Sequence, residues 1–149
     1  MIEGEAFFVT SEILKPVVVL IAWSLVMLIW MVVTRLPAMK AAGADLGTLV
    51  GSKAADADRA LPPHVQWKAH NYNHLMEQPT LFYAVTLVLA IIGQGDGLNA
   101  TIAWAYVILR IAHSIVQATV NRVLIRLLLF ALSSLALVAL ALHAAIAVF

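Results

Sequence analysis

The residues of this chain best suited to chemistry fall in two groups. Asn73 and Glu77 are four positions apart, so on a helix they share a face. Further on, Tyr106, Arg110, His113 or Ser114, Gln117 and Asn121 recur at the three- and four-residue steps of a single helical stripe, followed at once by Arg122 and Arg126. Three guanidinium groups, a carboxylate and several amides converging on one place suit an anionic, peptide-like ligand. The chain has no cysteine, which excludes disulfides, thiolate metal sites, iron–sulfur clusters and a protein thiol nucleophile. Any thiol chemistry must come from a substrate.

Other roles for the same side chains set the alternatives. Glu77 and Arg110 can form an intramembrane ion pair that only fixes packing. Arg122 and Arg126 also fit interfacial anchors. His74 and His113 are a weak signal for haem or metal, and no metal is expected. Trp23, Trp30, Trp67 and Trp104 read as interfacial or packing residues. His143 stands alone in its helix, with no evident partner.

These side chains have to be positioned inside a membrane. Of 149 residues 63% are hydrophobic and 11% charged, well outside the soluble range. The expected fold class is an all-α integral membrane bundle in a single domain, 1–149, with four spans near 16–34, 70–92, 98–120 and 124–148. Pro37 is expected to follow the end of the first span, and the stretch 38–66, rich in Gly, Ala and Asp, to form an aqueous loop, with room for a short helix. The first segment, acidic and without a basic n-region, reads as retained. Arg35, Lys40, Lys53, Arg59, Lys68, Arg122 and Arg126 lie on the loop's side and Lys15 opposite, so the loop is expected in the cytoplasm and both termini outside. A formal charge of +1 gives no basic surplus for nucleic acid.

On this topology Glu77 and Arg110 lie at comparable depths, roughly 13 and 16 Å in from the cytoplasmic ends of their helices. A polar stripe at that depth must face another helix, a neighbouring subunit or a wet cavity.

The stretches "NHLMEQPTLFYA" and "AWAYVILRIAHSIVQATVNRVLIR", with four spans and a long first loop, resemble the MAPEG family, the membrane-associated proteins of eicosanoid and glutathione metabolism, and most of all its small bacterial members. The resemblance implies a homotrimer that holds glutathione as co-substrate between neighbouring subunits, near the cytoplasmic side of a bacterial inner membrane. It assigns Arg126 to stabilising the thiolate and Asn73 and Glu77 to binding the tripeptide. Arg110, His113, Gln117 and Arg122 complete the site. A guanidinium beside a thiol favours its charged form, which creates a nucleophile without a protein cysteine.

Three positions depart from the family pattern. Lys68-Ala69 stands where Arg-Ala is common, the step from Asn73 to Glu77 is four instead of three, and Gln117 stands where Tyr is frequent. The expected function is a glutathione transferase or peroxidase acting on hydrophobic electrophiles. The alternatives are a non-catalytic lipid-binding or scaffold protein and, behind it, a proton-relay or transport subunit. Expected partners are a second and third copy, membrane lipids and a lipid or hydrophobic small molecule.

Overall fold

A computed structural model describes residues 11–51 and 53–149; the reading of the first ten residues as a retained segment lies outside them. Among the described residues six helices follow in order: α1 (Leu14–Ala41), α2 (Ala54–Ala60), α3 (Pro63–Glu77), α4 (Pro79–Ile91), α5 (Leu98–Ala118) and α6 (Val123–Val148). With α3 and α4 counted as one interrupted span, four helices are long and apolar enough to cross a membrane. The fold is therefore an all-helical integral membrane bundle, and α5 and α6 form its most extensive contact.

Two boundaries differ from expectation. Pro37 lies inside α1, which continues to Ala41. A proline removes one helical donor, here the partner of the Val33 carbonyl, and Val33 is exposed near the end of the span. The second span starts at Pro63, ahead of the expected start at 70 and within the last residues of the expected loop, with proline in the first turn where no donor is needed. Its polar residues lower the local hydropathy enough to hide it. The remaining loop carries α2, pinned to α3 by Asp58, whose Oδ1 accepts from Gln66 Nε2 at 2.6 Å and pairs with His70 Nε2 at 2.8 Å. The His70 interaction is the main reason the Asp58 carboxyl is held below its ordinary pKa.

At the opposite end, the turn between α4 and α5 docks on the start of α1. Asp96 Oδ1 accepts from the Glu12 amide at 2.7 Å, and the Ile13 amide donates to the Gly95 carbonyl at 3.0 Å. A Cβ at Gly95 would collide with the side chains of Ser11 and Ile13, so glycine is required there by close approach.

The apolar core runs through Leu20, Met27, Phe82, Leu89, Val107 and Leu140. Phe82 stacks on Tyr106 with ring centroids 4.3 Å apart.

Candidate functional site

The polar stripe of α5 faces inward, as its spacing requires. Tyr106, Arg110, His113, Ser114 and Gln117 are all buried, and Arg110 has no exposed surface. α3, with its cap Gln78, carries two polar stripes. Asn71, His74 and Gln78, spaced i, i+3 and i+7, meet the bundle, while Asn73 and Glu77 lie on the exposed face.

The inward stripe makes the contacts. Asn71 Nδ2 and Trp23 Nε1 both donate to Ser114 Oγ, at 2.7 and 2.9 Å, which joins α1, α3 and α5 at one hydroxyl. Gln78 Nε2 donates to Ser134 Oγ of α6 at 2.8 Å. The span is interrupted at Gln78 because Pro79 has no amide hydrogen. In the last turn before this break, Arg110 Nη2 donates to the His74 carbonyl and lies the same 3.0 Å from His74 Nδ1.

Arg110 thus bonds His74, and no ion pair with Glu77 is present among the described residues. The expected Glu77–Arg110 pair is corrected accordingly. The guanidinium finds uncharged partners in the His74 carbonyl and ring on the inner face, while Glu77 sits on the outer one.

Around this pair an aromatic cluster closes. The His74 and His113 rings stack at 4.9 Å, Phe130 of α6 meets His74 edge-on at 5.5 Å, and the Arg110 guanidinium lies 5.8 Å from the Phe130 ring. Arg126, in the first turn of α6, donates through Nη1 to Asn121 Oδ1 at 2.6 Å. Asn121 turns the chain from α5 into α6 at a positive φ of 49°, a conformation that asparagine tolerates better than most residues. His74, His113, Val123, Arg126, Leu127 and Phe130 line a cavity of about 210 Å³.

Several buried donors here have no acceptor among the described residues: Arg110 Nε and Nη1, and Arg126 Nε. Buried guanidinium N–H groups without acceptors are costly, so the chemistry of this donor set fits an anionic ligand.

Of the residues singled out from sequence, Arg126 and His113 line the cavity, and Arg110 lies directly behind it against His74. Gln117 is buried further along α5, whereas Asn73, Glu77 and Arg122 are exposed on the outer surface of the bundle. His74 was not among the expected ligand residues, yet it stands at the centre of the cluster. It occupies the position three residues before Glu77, where the family pattern has its asparagine, and that spacing was the available signal.

No curated protein and no solved structure matches the chain. Residues 13–146 match the model of the MAPEG family, so the polar centre described above lies wholly within the matched region, and the chain belongs to that family of membrane-associated proteins of eicosanoid and glutathione metabolism.

Proposed function

We propose that the protein binds glutathione, or a closely similar anionic thiol, between neighbouring copies of a homotrimer and uses it to conjugate or reduce hydrophobic electrophiles. The observation that carries this reading is the set of buried Arg110 and Arg126 donors without acceptors beside a half-apolar cavity. A tripeptide with two carboxylates and an ionised sulfur supplies acceptors of the kind those donors require.

In this reading Arg126 stabilises the thiolate. Asn73 and Glu77 bind the peptide from the outer face, and Arg110, His113, Gln117 and Arg122 add charge and polarity. Glu77 supports the subunit boundary as well, because an exposed carboxylate on a membrane-spanning segment needs a polar partner from outside its own protomer. The excess of Lys and Arg at the loop end supports a cytoplasmic position for that end at a bacterial inner membrane, the side on which reduced glutathione is supplied. Val123, Leu127 and Phe130 give the cavity an apolar wall for a lipid-borne electrophile.

The test is an ultraviolet difference titration of the detergent-solubilised protein with glutathione near neutral pH. A saturable thiolate band, lost in Arg126→Leu while the trimer persists by native mass spectrometry, is the expected result. An intact trimer with no band in the wild type would overturn the thiol reading in favour of a non-catalytic lipid-binding protein.

A further inference from the structure

We propose that His74 donates a hydrogen bond from Nε2 to the oxygen on which negative charge develops in the electrophile, so that the site selects electrophiles with an oxygen leaving group, hydroperoxides above all. This rests on the glutathione reading above and names the substrate class of the same site.

The hydrogen-bond inventory carries the argument. A guanidinium has only donors, so the 3.0 Å contact from Arg110 Nη2 makes His74 Nδ1 the acceptor and leaves the ring proton on Nε2. The same Nη2 holds the His74 carbonyl, while the stack on His113 and the edge of Phe130 fix the ring plane. The imidazole is therefore set in both tautomer and orientation before any ligand arrives. Its Nε2 has no partner among the described residues and is not one of the sealed-in polar atoms, and the side chain lines the cavity.

Donation by a cation into Nδ1 also draws electron density from the ring and strengthens the donor on the far side. Arg126 borders the same cavity of about 210 Å³, so one group for the sulfur and one for the leaving oxygen meet in a space sized for a single reacting centre. A preorganised donor aimed at developing oxyanion charge is among the larger contributions an active site makes.

The glutathione thiolate attacks the terminal oxygen of the hydroperoxide; the S–O bond forms and the O–O bond breaks. The electron pair leaves on the inner oxygen, which His74 Nε2–H stabilises until water protonates it, yielding an alcohol, hydroxide and glutathione sulfenic acid. The hydroxide neutralises the proton released when the thiolate formed. A second glutathione condenses with the sulfenic acid to give disulfide and water. Sulfur is oxidised and the peroxide reduced, and glutathione is the only co-reactant. Displacement of chloride from benzyl chloride by the same thiolate forms the S–C bond as the C–Cl bond breaks and puts the departing charge on the halide, with none on oxygen, so it has far less use for this donor.

The experiment compares cumene hydroperoxide reduction with benzyl chloride conjugation in the full-length solubilised trimer, for wild type, His74→Phe and His74→Gln, with the thiolate band recorded on each preparation. His74→Phe keeps a flat ring against His113 and removes the donor. It is expected to lower the hydroperoxide kcat about 100-fold more than the halide rate. His74→Gln, which retains an N–H donor, is expected to recover part of that difference. If His74→Phe does not assemble, His74→Met takes its place. Equal losses on both substrates, loss of the thiolate band in the variants, or a wild type that forms thiolate but reduces no hydroperoxide would each overturn the role given to His74. A wild type with no thiolate band overturns the glutathione reading itself, and this inference with it.

Discussion

The bundle holds a histidine-containing polar cluster at each end, each beside a cavity, and the two differ in how their hydrogen bonds are accounted for. At the far end, His143 Nδ1 meets Asn99 Oδ1 at 2.6 Å, and Asn99 Nδ2 donates to the Gln94 carbonyl at 2.7 Å. Asp96 accepts from the Glu12 amide and from Ser11 Oγ. That cluster ties the α4–α5 turn to the start of α1 and the end of α6, and none of its side-chain atoms is buried without a partner. At the loop end, Arg110 and Arg126 keep buried donors unmet. The cavity at the far end is the larger, about 440 Å³ against about 210 Å³, so volume does not distinguish the two. Unmet hydrogen-bonding capacity does: the far cluster satisfies itself, whereas the loop-end cluster leaves buried donors open to a partner from outside the described residues.

The largest effect that can break this contrast is at Arg126. Arg126→Leu is expected to remove the thiolate band and to lower turnover by about 10²–10³-fold, the loss typical of deleting a charge-stabilising donor. A variant with full turnover, measured by stopped-flow with any electrophile the wild type accepts, would return Arg126 to the role of interfacial anchor. Glu77→Gln sharpens the same end. Because Glu77 is exposed and unpaired with Arg110, the substitution is expected to leave the apo melting temperature unchanged. It should weaken glutathione binding by about 10-fold or more, since it removes a charged hydrogen-bond acceptor. Calorimetric titration reads the affinity. A collapse of the fold instead would restore the ion pair that the structure does not show.

The far end is expected to respond in the opposite way. His143→Leu strands the Oδ1 of Asn99, a residue only 9% exposed, which costs about 1–3 kcal/mol of stability. Thermal unfolding in detergent should record that loss, with kcat and glutathione affinity unchanged. An activity defect larger than the stability loss would show that this cluster, too, serves a ligand.

How far these ends could be read from sequence depends on how much of each signal is local. The four spans were legible because membrane hydropathy is a property of a window, and the inward stripe from Tyr106 to Gln117 because a helix repeats every 3.6 residues. The start of α3 was not legible, since its buried Gln66 and Asn71 count as polar in any window although the bundle hides them. His74 was passed over for a different reason. Asn71, His74 and Gln78 form as good a stripe as Asn73 and Glu77, and only the rotation of the helix against α5 decides which one faces in. The pairing of His143 with Asn99 joins residues 44 positions apart, and no local pattern encodes it.

The smallest expected effect lies outside the membrane, where α2 is held to α3. Asp58 accepts from Gln66 and pairs with His70, with Arg35 adding a weaker favourable field, and its carboxyl is held below the ordinary value. A carboxylate with a depressed folded-state pKa adds stability that is fully present above its unfolded value. That stability is lost as pH falls through the folded value, so α2 should stay docked at neutral pH and release only in acid. Both partners are exposed, and the change is expected to be local. Amide hydrogen exchange across Ala54–Ala60 should accelerate in Asp58→Asn at neutral pH, and in the wild type only in acid, once the pH falls through the lowered value of the Asp58 carboxyl. Exchange in α5 should change in neither case. If Asp58→Asn also altered glutathione binding, the loop would belong to the ligand-binding end instead of being a separate clasp beside it.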